Sequence, residues 1–407
     1  MTVSNDVKND IRVIREAKTL SEAGHEVFIF GNSKNGGTIK FEDGIEIINS
    51  KYPLVKKCLL SLKSKMDKYN NDETNNSLNN KQSLKQKIKE LLKGLILVSS
   101  IEQTQTQILK KIKSTKIVFD SVHCHDLDTL RVGIEYKKTF GSKLIYDSHE
   151  LWTEMSGINY FVKNRYSKIE KEYFQSIDHV ITVSPSIIEE FKKRYNSEIP
   201  TTLVRNMPLK SKNANEIILT EPNDNEIKIV YSGFYIKGRG IEFILDSAVK
   251  FPDNIKMYLL VQNDPNVIQE LKDKVCKLKL EGRVFIKGFV PQEEVIKELS
   301  KYDIGILPYL PVSLNNLYCL PNKLFQYLSA GICVVSNNLP DVKDILMTHN
   351  CGLTYDETTN LVNVLYDLSE NPSKLYKYKK NAKNIIENTL NWDEEKEQLI
   401  NLYGNLE

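Results

Sequence analysis

Two glycine-containing segments and one histidine-rich stretch hold the residue types that chemistry needs. The run Tyr231-Ser-Gly-Phe-Tyr-Ile-Lys-Gly-Arg-Gly240 follows a strand pattern and opens a helical one. Gly233, Gly238 and Gly240 allow a tight turn and close approach to a ligand, and Lys237 and Arg239 add positive charge. A helix start offers unpaired N–H groups and a positive dipole end, so the loop suits a diphosphate. It has neither the Walker spacing nor the dinucleotide-binding one. Asn322 and Lys323 follow Pro321 in the first turn of another expected helix, and Gln326 lies about one turn further on the same face. A lysine beside a positive helix end implies an anion there. The third stretch, His123-x-His125-Asp126 with Asp128 and later His149-Glu150, has metal-ligand character. It equally suits a cluster at strand ends, with His123 as a satisfied core residue.

The elements around these residues follow from hydrophobic pattern. Continuous apolar runs at 27–30, 45–48, 116–119, 143–146, 179–183, 227–231, 256–261, 284–286, 304–307 and 333–335 read as strands buried on both faces. Helical stripes alternate with them: Ile11, Ile14, Ala17 and Leu20, stopped by Gly24; Ile241, Ile244, Leu245 and Ala248; and the stretch from Pro321 to Gly331. Alternation of this kind predicts an α/β protein of doubly wound sheets. An opening strand would have to fit into Met1–Val3, so it is very short or missing. A polar, proline-bearing linker at 207–226 separates an N-terminal domain, 1–206, from a C-terminal one, 227–390.

Composition narrows the classes. The 407 residues suffice for two domains. With 41% hydrophobic and 27% charged residues the chain is globular, and a net charge of +3 makes no case for nucleic acid as a partner. No run approaches a membrane span and the N-terminus lacks a signal-type apolar segment, so a cytoplasmic location is expected. The six cysteines lack C-x-x-C spacing and read as reduced packing residues. Between Lys51 and Lys116, fifteen lysines against five acidic residues leave about +10. Helices are expected at 54–66 and 84–97 with an Asn-rich loop at 70–80 between them. This Lys/Asn-rich insertion, about 50–115, is either a solvated helical feature or a face for an anionic acceptor or an anionic membrane surface on the inner leaflet.

Taken together, Pro321-Asn-Lys-Leu-Phe-Gln-Tyr-Leu-Ser-Ala-Gly-Ile-Cys-Val-Val335, the Gly233–Gly240 loop, Gly288-Phe-Val-Pro291 and Ser300–Pro308 resemble the donor domain of retaining GT-B glycosyltransferases in the "glycosyl transferases group 1" family. In the first half, Asp10–Leu20, Gly24–Val27, Val122-His-Cys-His-Asp126, Tyr146-Asp-Ser-His-Glu150, Val183-Ser184 and Val204–Asn206 are similar to the family's N-terminal domain, and 391–407 resembles its closing helix, which crosses back to that domain. The resemblance implies two Rossmann-like domains facing a central cleft. It implies sugar transfer from a nucleotide-diphosphate sugar to a glycan or lipid-linked acceptor with retained configuration, the leaving phosphate taking the acceptor's proton, and no metal or other cofactor. His149, Arg239 and Lys323 become the expected catalytic residues; Gly233, Lys237, Gly238, Tyr318, Asn322 and Gln326 the donor-binding ones; His125, Asp126 and Glu150 the acceptor-side ones. Tyr318 and Gln326 stand where the family often carries two glutamates eight positions apart. An uncharged Gln326 would hold a ribose less tightly, which leaves a non-catalytic binding subunit as one alternative. A metal-dependent hydrolase and a sugar-nucleotide epimerase are the others.

Overall fold

Parallel sheets covered by helices are what the computed structural model shows; it describes residues 1–41, 44–53, 55, 80–208, 218–222, 225–236, 240–356 and 358–406. The chain forms two compact units: unit 1 holds 1–183, 187–204 and 396–407, and unit 2 holds 184–186 and 205–395.

In unit 1, β1 (Phe28–Ser33) pairs in parallel with β3 (Glu46–Lys51), and β2 (Gly37–Lys40) pairs antiparallel with β3. Strands β4 (Ser121–His125), β5 (Lys143–Ser148), β6 (His179–Thr182) and β7 (Thr201–Leu203) follow one another in parallel. Thr2 bridges Phe30 on one side and Cys124 on the other, so the doubtful opening strand amounts to one bridging position.

Helix α1 (Ile11–Glu22) starts where the Asp10 carboxylate accepts the Val13 N–H, and the chain turns away at Gly24 with φ +98°. Its expected stripe is rotated. Ile11 is 54% exposed, while Arg12 and Glu16 are buried beside Val13, Ala17 and Leu20. Helix α2 runs from Asn80 to Ser114, so the helix expected at 84–97 is real and much longer. The helix expected at 54–66 and the loop at 70–80 lie, but for Val55 and Asn80, outside the described residues. Helices α3 (Leu127–Phe140) and α4 (Tyr160–Phe174) follow, then α5 (Pro185–Tyr195).

The strand expected at Lys116–Phe119 is not one. Lys116 has φ +60° and Val118 is 63% exposed. The Tyr136 hydroxyl accepts the Phe119 N–H at 3.1 Å and donates to the Ile117 carbonyl at 3.1 Å. One side chain thus satisfies the backbone groups a neighbouring strand would have taken, and β4 begins at Ser121.

Unit 2 carries a six-stranded parallel sheet in the order β10 (Val284–Lys287), β9 (Ile255–Leu260), β8 (Ile227–Ser232), β11 (Ile304–Leu307), β12 (Cys333–Asn337), β13 (Gly352–Tyr355). Counted within the unit, this is the doubly wound 3-2-1-4-5-6 order, which reverses between β8 and β11. Helices α6 (Ile241–Ala248), α7 (Pro265–Lys277), α8 (Val295–Leu299), α9 (Leu314–Tyr318), α10 (Asn322–Ser329), α11 (Pro340–Thr348), α12 (Thr358–Glu370) and α13 (Pro372–Asn388) cover it. All four stripe residues of α6 are buried, as expected. The closing helix α14 (Trp392–Gly404) begins in unit 2, and from Lys396 onward it counts with unit 1. Strands β2, β7 and β13 went unforeseen, each having only three or four residues and few or no fully buried positions, and β4 begins beyond the run expected as a strand at 116–119.

Candidate functional site

The carboxyl ends of β4 and β5 assemble a charged cluster in unit 1. Parallel register sets His125 opposite Asp147. Arg12 reaches Asp147 from α1 with two nitrogens, Nη2 to Oδ1 at 2.9 Å and Nε to Oδ2 at 3.2 Å, and Nη1 donates to the Val204 carbonyl at 3.0 Å. The same guanidinium pairs with Glu16 one turn along, at 3.0 Å. Asp147 Oδ2 also lies 3.1 Å from His125 Nδ1 and 3.0 Å from His149 Nε2. His123 stacks on His125 with centroids 4.3 Å apart, and its Nδ1 meets the Tyr403 hydroxyl of α14 at 3.0 Å.

Asp126, with φ +61°, occupies a conformation that costs a non-glycine residue free energy. That turn aims its carboxylate at His149 twice: Oδ1 accepts the His149 backbone N–H at 3.1 Å, and Oδ2 is 3.2 Å from Nδ1. Arg12, Glu16, His123, His125 and Asp147 are all buried, whereas the side chains of His149 and Asp126 are 21% and 27% exposed. The cluster thus comes to the surface through these two.

Its electrostatics divide the roles. Burial opposes charge on Asp147, but Arg12, His149 and the adjoining His123 and His125 hold its pKa well below the usual value. Burial also works against a charged His149, yet Asp126 and Asp147 raise its pKa well above 6.5. Burial lowers His123, and burial and His123 lower His125 well below 6.5. Burial pushes Glu16 up to about 7, against the pull of Arg12. At neutral pH, then, His149 is a cation with both ring nitrogens on carboxylates, which suits it to stabilise charge and not to act as a base.

Donor atoms of Glu16, His123, His125 and Asp147 all lie within 4.8 Å of one another, the spacing of a metal site. Two of these four, however, already share the Arg12 cation. A divalent ion there would face a buried positive charge at contact range, so the set fits a guanidinium better than a metal.

In unit 2 the site forms at the reversal point of the sheet, outside the carboxyl ends of β8 and β11. Gly233 follows β8 with φ +141°, and Pro308 and Tyr309 follow β11. Lys323, at the start of α10, lies over Gly233: a Cβ on Gly233 would overlap Lys323 Cε and sit 2.5 Å from Nζ. The ammonium is 5.5 Å from the Tyr231 ring centre, 5.6 Å from that of Tyr309, and 3.3 Å from the Tyr309 hydroxyl. Gly240, with φ +100°, passes so close to Pro308 that a Cβ would run into its carbonyl oxygen. Gly305 has no side chain and admits the buried Tyr327 ring, whose hydroxyl accepts the Ser232 N–H at 3.0 Å. That bond ties α10 to the end of β8. Phe234 and Phe289 pack edge to face, 4.9 Å apart, and remain 62% and 37% exposed.

Residues 215–385 match the family model described as Glycosyl transferases group 1. This segment is a glycosyl transferases group 1 domain. Over 275 residues, 64% of this chain, the sequence is 23% identical to an uncharacterized glycosyltransferase of Methanocaldococcus jannaschii, and that match spans 66% of the relative's length. Sucrose-phosphate synthase from Thermosynechococcus elongatus superposes with a TM-score of 0.71 at 16% identity, over 98% of this chain and 93% of that one. Anabaena HepE in complex with UDP and glucose gives 0.69 at 13% identity, over 99% and 98%. These structural likenesses are of fold, and the fold is GT-B, as the sequence motifs led us to expect.

The expected site residues fall into three groups. Gly233 and Lys323 meet in unit 2, and His125, Asp126 and His149 meet in unit 1. Elsewhere, Asn322 is exposed, Gln326 and Glu150 are half-buried, and the half-buried Tyr318 accepts a hydrogen bond from Ser184 through its carbonyl at 2.7 Å. Lys237, Gly238 and Arg239 lie outside the described residues. His123, read as a satisfied core residue, is buried, but inside the charged cluster and with no hydrogen bond at Nε2. Sequence reasoning missed Arg12, Glu16, Asp147, Tyr231, Tyr309 and Tyr327. A signal for the first pair existed: charged residues at i and i+4 on the same face as Val13 and Leu20.

Proposed function

We propose that the chain transfers a sugar from a nucleoside-diphosphate sugar to a glycan or lipid-linked acceptor, with retention of configuration and without a metal cofactor. One observation carries the reading. An ammonium, Lys323 Nζ, is held between two tyrosine rings over a side-chain-free Gly233, at the reversal point of a doubly wound sheet. A diphosphate is the ligand such a place suits. As the bond between the sugar's anomeric carbon and the β-phosphate oxygen breaks, its electron pair goes to that oxygen. Lys323, with Arg239 and Lys237 of the adjoining loop, stabilises the charge that develops there. The acceptor hydroxyl forms the new bond on the same face and gives its proton to the departing phosphate. Gln326 and Asn322 contact the donor from α10, and Tyr318 from α9. On unit 1, His149 acts as a fixed cation beside the reacting sugar, oriented by Asp126 and Asp147, with His125 and Glu150 on the acceptor side. The UDP complex of HepE supports a nucleotide donor.

Thermal shift and calorimetry with UDP, GDP and ADP, repeated on Lys323→Ala, test the reading. Binding of one nucleotide that Lys323→Ala weakens by at least tenfold is expected; binding untouched by this substitution refutes it. Turnover of the matching nucleotide sugar by the native chain and by Gln326→Glu separates transfer from a binding-only role.

A further inference from the structure

Near the middle of its first half, α2 (Asn80–Ser114) presents an apolar stripe to solvent. Ile88, Leu91, Leu92, Leu95 and Ile96 are 49%, 47%, 53%, 45% and 40% exposed. Their spacing of i, i+3, i+4, i+7 and i+8 puts them on one face, an arc of about 140° at 3.6 residues per turn. A helix of a globular unit ordinarily turns such a stripe inward. Here a different face is turned in, and it is pinned. Gly94 is buried against Asn159 and Phe161 at the start of α4, where a Cβ would run into both. The Asn159 side-chain amide donates to the Glu90 carbonyl at 2.9 Å and to its carboxylate at 3.2 Å. Further along, Val98, Thr104, Gln105, Ile108 and Ile112 continue the inward face. The outward direction of the five apolar residues is therefore set by packing.

Charge frames the stripe. Lys87 and Lys89, both exposed, lie about 100° to either side of Ile88 on the helical wheel, and Lys93 sits just behind Lys89. Acidic Glu90 falls on the far side. An apolar stripe edged by lysines is how a helix lies in the plane of an anionic bilayer surface: the leucines enter the acyl boundary while the ammonium groups stay at the headgroups. No described helix is long and apolar enough to cross a membrane, so the fitting mode is surface attachment.

We infer that the α2 face formed by Ile88, Leu91, Leu92, Leu95 and Ile96, flanked by Lys87 and Lys89, docks unit 1 on an anionic lipid surface. This goes beyond sugar transfer and does not depend on it, since donor binding to unit 2 is measured separately.

Co-sedimentation of the full chain with vesicles tests it, using phosphatidylcholine alone and phosphatidylcholine mixed with phosphatidylglycerol. Binding is expected only to the mixed vesicles and is expected to weaken as salt rises. Lys87→Gln/Lys89→Gln lowers the partition constant about 30-fold, from roughly 1 kcal/mol per lysine at an anionic surface. Leu92→Asp/Leu95→Asp, at exposed positions that leave the melting temperature unchanged, abolishes binding. Equal binding to both vesicle types, no binding, or insensitivity to these variants overturns the inference. So does binding that appears only after residues 56–79 are removed. Concentration-dependent self-association that Leu92→Asp/Leu95→Asp disperses, without vesicle binding, assigns the face to a second copy instead.

Discussion

Gly233→Ala probes the proposed diphosphate site most directly. With φ at +141°, the position disfavours any L-residue, and the new methyl would occupy the space of the Lys323 Cε and crowd its Nζ at 2.5 Å. The lysine must leave its seat between Tyr231 and Tyr309. Backbone strain costs stability on the order of 1–2 kcal/mol. The displaced ammonium costs donor binding about 1.5–3 kcal/mol, the worth of a charge-assisted hydrogen bond, or roughly 10- to 150-fold in Kd. Calorimetry with the nucleoside diphosphate that stabilises the native chain reads this number, and urea unfolding reads the strain separately. A double-mutant cycle isolates the cause. If Gly233 matters because it makes room for Lys323, Gly233→Ala adds little to the binding loss already produced by Lys323→Ala. Full additivity, or unchanged affinity in Gly233→Ala, would show that Lys323 does not hold the ligand in the seat described and would refute the argument.

Other perturbations have equally definite outcomes. Arg12→Leu leaves Asp147 and Glu16 buried without their cation, so urea unfolding should show a loss of about 3–5 kcal/mol. His149→Gln fills the same partly exposed position but removes the cation, so turnover should drop about 100-fold with nucleotide affinity unchanged. The pH dependence carries two signs. Asp147, lowered in the folded state, contributes stability above the unfolded carboxylate pKa and loses it as pH falls through its own depressed value. His149, raised in the folded state, contributes fully below the unfolded pKa near 6.5 and loses that contribution as pH rises through its raised value. Urea midpoints measured across pH should therefore fall on the alkaline side for the native chain, with the part owed to His149 missing in His149→Gln. Because Arg12 already serves Glu16 and Asp147, elemental analysis should find far less than one equivalent of metal, and chelator should leave the melting temperature unmoved; a stoichiometric metal would overturn that view of the cluster.

Much of the site was legible from local signals. Gly233 and Gly240 are required where the backbone has positive φ and where a side chain would strike Lys323 or Pro308. Lys323 at a helix start implied an anion, and His149 follows a strand that the sequence shows, whereas His125 ends a strand, Ser121–His125, that begins beyond the run expected at 116–119. What misled was also local. The apolar run at 116–119 has strand composition, but the Tyr136 hydroxyl claims its backbone groups. Of the expected α1 stripe, Ala17 and Leu20 are buried but Ile11 is exposed, because the inward face also takes in the buried Arg12–Glu16 ion pair.

By itself, the amino-acid order settled the alternation of strand and helix, the doubly wound class and the glycine-governed turns, since each depends on residues close together in the chain. Tertiary structure alone decided which charges meet. Arg12 and Asp147 are joined by the sheet register and the packing of α1, Lys323 and Tyr309 by the neighbouring ends of β11 and α10, and the outward face of α2 by a glycine against Asn159. Hydrophobic periodicity records which face of an element is apolar, but not which partner it meets. Partner choice belongs to long-range packing, which buries Arg12 where the Asp147 carboxylate arrives from 135 residues away.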